Sequence, residues 1–312
     1  MRERYLLAAG LLTGLAIPAS ALSQMSIILP QTSKFVENSP QISQITANKK
    51  NIANPDISLP ESLFNANSPP SHLPLTSGNQ LYHQRLAALK TGQIYTRIDS
   101  HPSPRLWESS QKHQLTYQDW KNLLALEAKA ISKGQGTSYL GILVGDSLSM
   151  WFPREKLPTG KLWLNQGISG DTSAGIFSRL RAFSATRPNV IYIMAGINDL
   201  RKGDSNEEIL RNHRRIIRRL RQSHPKSQII VQSILPTRLP TIPNSRIIQI
   251  NTQLALIAEQ EKADYLNIYH WFTDFQGNLR PELTTDGLHL SQDGYDIWRF
   301  ALQQIELTHS GN

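Results

Sequence analysis

The sequence predicts an α/β fold: a three-layer α/β/α, doubly wound parallel sheet with an N-terminal helical extension. Three observations lead there. From about Thr137 onward, short Val, Ile and Leu runs alternate with segments of helical periodicity, which implies right-handed crossovers and a parallel sheet covered by helices on both faces. Apolar runs end in small-residue turns, the arrangement by which such sheets present side chains at their carboxyl edge. The 312-residue chain is 39% hydrophobic, enough for a sizeable core.

Composition narrows the chemistry. The absence of Cys excludes disulfides, thiolate catalysis and cysteine-held zinc, so any nucleophile must be an oxygen or a nitrogen. The 33 Lys and Arg against 24 Asp and Glu give a formal charge of +9, which suits contact with an anionic surface. Nucleic acid is not an expected partner, because no basic stretch is interleaved with aromatics and no reading helix is evident.

Residues 1–21 begin with a charged Met1-Arg2-Glu3-Arg4, continue through an apolar Tyr5 to Ile17, and end in Ala19-Ser20-Ala21. This is the pattern of an export signal cleaved after Ala21, which predicts a periplasmic or extracellular protein. A retained membrane anchor is the alternative, since Met25 to Leu29 prolongs the apolar character, but Ser20, Ser23, Gln24 and Ser26 interrupt the run. Residues 22–77 are rich in Ser, Asn and Pro, with too few aliphatic contacts to offset ordering entropy, and read as a disordered tether. Residues 78–135 read as a helical extension packing on the main domain. Leu81, Leu86 and Leu89 recur at helical intervals there. After Thr116 a second helix places Trp120, Leu123, Leu124, Ala128 and Ile131 on one face, with Lys121, Glu127 and Lys129 away from it. Thr116 and Asp119 resemble a capping box.

The main domain is expected over 136–308. Its strands are Tyr139 to Val144, Leu162 to Leu164, Val190 to Ala195, Ile229 to Ser233 and Tyr265 to Ile268; helices start at Thr172, Ser205, Ser245 and Ser291. In the helix from Asn206 to Gln222, Ile209, Leu210, His213, Ile216, Ile217 and Leu220 form the inward stripe. Arg211, Arg214, Arg215, Arg218 and Arg221 form an outer basic face, expected to be a solvated surface before a polyanion site. His213 is expected to be packed and not a ligand.

Four segments fall at strand ends or ahead of the final helix: VGDSLS at 144–149, NQGISGD at 165–171, AGIND at 195–199 and DGLH at 286–289. Ser147 is the candidate nucleophile. A serine hydroxyl needs an adjacent base, for which the His289 imidazole is suited, and Asp286, three residues earlier, can orient that ring. Singly, each segment is also plain turn chemistry: Gly167 and Gly170 as turn glycines, Asn198-Asp199 as an Asx turn, Asp286-Gly287 as a turn pair. Together, their order and contexts resemble the SGNH hydrolases, also called GDSL esterases and lipases, over about 170 residues from the strand before Gly145 to the final helix.

The resemblance implies a flavodoxin-like SGNH hydrolase fold and a serine esterase needing no cofactor. Ser147, Asp286 and His289 would be catalytic, and the backbone N–H groups of Ser147 and Gly170 with the Asn198 amide would form the oxyanion hole. Gly170 is expected to allow close backbone approach without a Cβ. Asp146 and Asp199 are expected to bond loop amides behind the site, and Trp151, with Phe152 and Pro153, to wall a small acyl pocket. The expected substrate is a small-molecule or polysaccharide ester carrying a short acyl group such as acetyl; a lysophospholipase, lipase or thioesterase would use the same site. A non-catalytic carbohydrate- or membrane-binding module is the alternative of another class. Asp146, Asp199, Asp286 and His289 could instead collect a divalent metal for phosphoester chemistry, disfavoured because one histidine is a thin ligand set.

Overall fold

A computed structural model of the chain describes residues 77–94 and 114–309, with side chains through Glu306. The export signal expected over 1–21 lies outside the described residues, as does the tether expected over 22–77 except Ser77, which caps the first helix. Residues 95–113, inside the expected helical extension, also lie outside.

Five parallel strands, β1 (Leu140–Gly145), β2 (Leu162–Gly167), β3 (Val190–Met194), β4 (Gln228–Gln232) and β5 (Asp264–Leu266), are ordered β2-β1-β3-β4-β5. That order reverses direction between β1 and β3, the switch point at which doubly wound sheets hold their ligands. Gly145 of β1 pairs with both Gly167 of β2 and Met194 of β3, so the three strands end level and their loops leave side by side.

Every residue of β1, β2 and β3 is buried, because helices cover both faces and no strand side faces water. The pleat divides the core. Leu143, Trp163, Tyr192 and Ile230 pack with Trp298, Ala301 and Leu302 of the last helix, α8 (Gln292–His309). Ile142, Val144, Leu164, Ile191 and Val231 pack on the opposite side. Their partners there are Ala128 and Ile131 of α2 (Tyr117–Gly134), Ile176 of α4 (Ser173–Arg179), Ile216, Ile217 and Leu220 of α6 (Asn206–Ser223), and Ala258 of α7 (Asn244–Gln260).

Helix starts follow capping chemistry. Thr116 and Asp119 each receive the other's backbone N–H, a complete capping box, while Thr172 and Ser205 accept from Gly175 and Glu208. His213 is fully buried with Nε2 3.1 Å from the Ala195 carbonyl oxygen, and burial holds its pKa below the ordinary value, so it packs as a neutral ring. Much of the basic face of α6 is tied back onto the protein. Arg218 makes a two-pronged contact with Glu261, Arg221 donates to the carbonyls of Ser227 and Lys262, and the Arg215 guanidinium lies 4.0 Å from the Phe177 ring centre.

One helical face differs from its expectation. Glu127 of α2, placed by periodicity away from the buried face, is 1% exposed. The cause is α1 (Gly78–Lys90), whose inward residues are Leu81, Arg85 and Ala88; Leu86 and Leu89 are only partly buried. Arg85 is itself 0% exposed and pairs with Glu127, so a guanidinium and a carboxylate enter the interior together.

Candidate active site

The turn after β1 is made by crowding. Had Gly145 a Cβ, it would lie 2.6 Å from the Met194 carbonyl oxygen and closer still to Ser149 Oγ, so glycine is required for β1 to pass between its neighbours. Asp146 then caps the short helix α3 (Ser147–Met150), and Ser147, 6% exposed, stands at its first position above the sheet edge.

The imidazole arrives from a segment 142 residues further on. His289 Nε2 lies 3.1 Å from Ser147 Oγ, and its Nδ1 lies 2.7 Å from Asp286 Oδ2. Asp286 Oδ1 accepts the backbone N–H groups of His289 and Leu288 at 2.7 and 3.0 Å. The loop is held from behind by Thr237 Oγ1 and the Arg238 N–H, both donating to the Gly287 carbonyl. Burial alone would push the Asp286 carboxyl up; hydrogen bonds from the His289 ring and from the backbone of His289 and Leu288 outweigh it and hold the group below its ordinary pKa. A carboxylate on Nδ1 places the second ring nitrogen toward Ser147 as an acceptor when the ring is neutral.

The three groups expected to be oxyanion donors follow the ends of β1, β2 and β3, which pair level with one another. Among the described residues, neither the Ser147 nor the Gly170 backbone N–H is engaged by another group. Gly170 has φ 77°, and a Cβ there would meet nothing within 4 Å. The left-handed backbone by itself favours glycine here, and the space a Cβ would take is open on the protein side. Asn198, 3% exposed on α5 (Ile197–Lys202), gives one amide proton to the Asp171 carbonyl at 3.1 Å and accepts from Arg201 Nη1 at 3.3 Å. That leaves one Asn198 proton for a ligand, with its direction set by the other two contacts.

Asp199 accepts the Ser173 backbone N–H with both oxygens, at 3.1 and 2.9 Å, and the Ser173 hydroxyl as well. Asp146 accepts the Leu148 N–H at 3.0 Å. Phe152 is fully buried against Tyr295 and Trp298, making it a core side chain and not a pocket wall; Trp151 is half-buried. Asp146, Asp199, Asp286 and His289 do not form a metal cage: among the described residues no three His, Asp or Glu groups converge to hold an ion.

Sequence reasoning missed the support of the donor loop. Arg179, 6% exposed, joins Asp171 Oδ2 at 2.6 Å, the Gln166 carbonyl at 2.6 Å and the Gly145 carbonyl at 2.9 Å. One guanidinium thus ties the ends of β1 and β2 to the residue after Gly170. Asp171 stood inside a recognised segment, but an arginine on a seven-residue helix carries no local sign of pointing inward.

Asp146 carries a testable pH dependence. It is 1% exposed, and its Oδ2 meets no hydrogen-bond partner among the described residues. Burial pushes its carboxyl up to about 7, against the opposing Leu148 N–H and with added repulsion from Asp171 and Asp199. The folded state therefore keeps a proton that an unfolded aspartate, at 3.8, gives up. This contribution to stability is fully present below about pH 4 and falls away as pH rises to about 7. Asp146→Asn, which keeps the Leu148 contact without the charge, should remove that decline and raise the denaturation midpoint near neutrality. Urea midpoints from about pH 4 to about pH 8 check it; parallel curves for both proteins would rule out the buried titration.

Residues 132–297 match the model of the GDSL-like Lipase/Acylhydrolase family. Curated relatives named N-acylneuraminate cytidylyltransferase, from Streptococcus agalactiae serotypes III and Ia, are 29% identical over 156 residues, covering 50% of this chain and 36% of theirs. The chain thus spans about a third of the length of the curated relatives it matches. Among solved structures, a candidate platelet activating factor from Streptococcus pneumonia superposes with TM-score 0.54 at 25% identity, covering 60% of this chain and 92% of its own. A GDSL-like lipase from Bacteroides thetaiotaomicron superposes with TM-score 0.53 at 22% identity, covering 60% and 98%.

Proposed function

We propose that this chain, which belongs to the GDSL-like Lipase/Acylhydrolase family, is an exported serine esterase that removes short acyl groups, such as acetyl, from a carbohydrate. The observation that carries the catalytic part is the continuous contact from Asp286 through His289 to Ser147, at 2.7 and 3.1 Å. His289 Nε2 takes the hydroxyl proton as Ser147 Oγ bonds to the ester carbonyl carbon. The carbonyl oxygen becomes an oxyanion facing the N–H groups of Ser147, Gly170 and Asn198, each such donor being worth roughly a hundredfold to a thousandfold. Collapse expels the alcohol, protonated by His289, and leaves an acyl-serine. Water then gives a proton to His289 and its oxygen to the acyl carbon; the acid departs and the proton returns to Ser147.

The short acyl group is proposed from Trp151, which stands four residues after Ser147 and is half-buried against the core. The name of the curated relatives refers to N-acylneuraminate, a sugar acid, which supports a carbohydrate as the group bearing the ester. The pattern of residues 1–21 supports export.

A panel of p-nitrophenyl esters and acetylated oligosaccharides, with a fluorophosphonate probe in parallel, tests this reading. Acetate is expected to turn over fastest and the probe to label Ser147. A steady rise toward long chains would transfer the protein to the lysophospholipases and lipases, and a preference for thioesters to the thioesterases. A folded protein that refuses the probe would be a binding module.

A further inference from the structure

The matched family span begins at residue 132, so α1 and most of α2 precede it, yet these helices reach the base of the site. Arg85 Nε and Nη2 meet the two Glu127 oxygens at 2.9 and 2.5 Å, and Nη2 also donates to the Asn165 carbonyl of β2 at 2.8 Å. The Asn165 side chain continues the line. Its amide donates to the Ser149 carbonyl at 2.7 Å, two residues after Ser147, and its oxygen accepts the Gly167 N–H at 2.9 Å, where the loop carrying Gly170 begins. An apolar route runs beside the polar one: Leu81, Trp120, Leu123 and Leu124 pack with Met150 and Ile168. Met150 Sδ in turn receives both the N–H and the hydroxyl of Ser169 at 3.2 Å, one residue before Gly170.

A fully buried ion pair is a poor device for stability alone, because desolvation of both charges offsets most of their attraction and apolar replacements of similar volume are often neutral. What this pair does that an apolar pair could not is donate to one chosen carbonyl at the junction of the nucleophile turn and the donor loop. We propose that α1 is a brace for the oxyanion hole, with Arg85 and Glu127 as positioning residues that set the separation of the Ser147 and Gly170 N–H groups. This rests on the reading of Ser147 as nucleophile and Gly170 as donor. Positional errors of about 1 Å in such groups can cost roughly a hundredfold in rate.

The test is the double variant Arg85→Met with Glu127→Leu in the full chain, which removes both charges together. On p-nitrophenyl acetate kcat should fall by about tenfold to a hundredfold with KM within about twofold, the mark of a contact expressed in the transition state. Arg85→Lys, whose single ammonium cannot span Glu127 and the Asn165 carbonyl as a planar fork does, should fall between the two. Amide hydrogen exchange over 167–171 should quicken in the double variant, a readout that does not depend on turnover. A folded double variant with wild-type kcat, or one whose loss lies wholly in KM, overturns the proposal. If the double variant does not fold, wild-type kcat in Arg85→Lys overturns it instead. Wild-type protein that takes neither ester nor fluorophosphonate would overturn the catalytic reading, and unchanged exchange over 167–171 would then overturn the brace separately.

Discussion

Replacing Ser147 with alanine is expected to lower kcat by about a millionfold, the scale seen when a nucleophile is deleted from a triad that acts as a unit. The change removes one oxygen from a residue that is 6% exposed and whose backbone opens α3, so the fold and the Ser147-position N–H should survive. Activity should then drop to the level left by the oxyanion donors and binding, roughly a thousandfold to ten-thousandfold over water. Single-turnover hydrolysis of an activated acetate ester, with circular dichroism as the fold control, makes the measurement. A folded variant retaining even a hundredth of the wild-type rate would mean that water, and not Ser147, attacks the carbonyl.

The second large effect is expected at Asp286. Asp286→Asn preserves an oxygen for the His289 and Leu288 N–H groups, contacts that hold the loop at 2.7 and 3.0 Å, so the geometry should persist. The other oxygen, 2.7 Å from His289 Nδ1, becomes an NH2 group that can only donate. The neutral ring must then present a lone pair at Nδ1 and a proton at Nε2, and a protonated Nε2 cannot take the proton of Ser147. A fall in kcat of about ten-thousandfold is expected. The wild-type carboxyl is ionised throughout the neutral range, whereas the amide carries no proton to lose there, so the deficit should not be repaired by raising the pH toward 8. Recovery of more than a tenth of the activity there would assign the orientation of His289 to another group.

The contrast between these residues and their supports shows what a sequence displays. β1 and β3 were legible because buried parallel strands are unbroken apolar runs, and the turns after them because Gly145-Asp146-Ser147 and Asn198-Asp199 are short-range patterns. The structure brings Ser147, His289 and Asp286 into hydrogen-bond contact, and Asp-x-x-His is compact enough to be noticed in a string of letters. Arg85, Glu127 and Arg179 were illegible for one physical reason. Helical periodicity sorts residues by polarity, and a charged residue on the inner face of a helix is read as facing water unless its partner is known. Glu127 lies 42 residues from Arg85, beyond any local window; Asp171 lies only eight from Arg179, but across a turn and a helix start, and the Gly145 carbonyl that Arg179 also holds lies 34 away. Phe152 shows the opposite error: its closeness in sequence to Ser147 suggested a wall of the site, while its ring belongs to the cluster with Trp298.

The contact between Ser147 and His289 closes a chain segment of 142 residues that includes four of the five strands. Closing a segment of that length costs loop entropy that the contacts of the ordered sheet and helices must offset. Tyr295 of α8, donating to the Leu148 carbonyl at 3.0 Å, joins the same two regions. A ribosome therefore produces the hydroxyl well before the imidazole, and a partly assembled chain holds an ordinary, unreactive serine. On the proposed mechanism, reactivity is a property of the completed molecule, because the Ser147 hydroxyl has no base beside it until both ends of that segment meet.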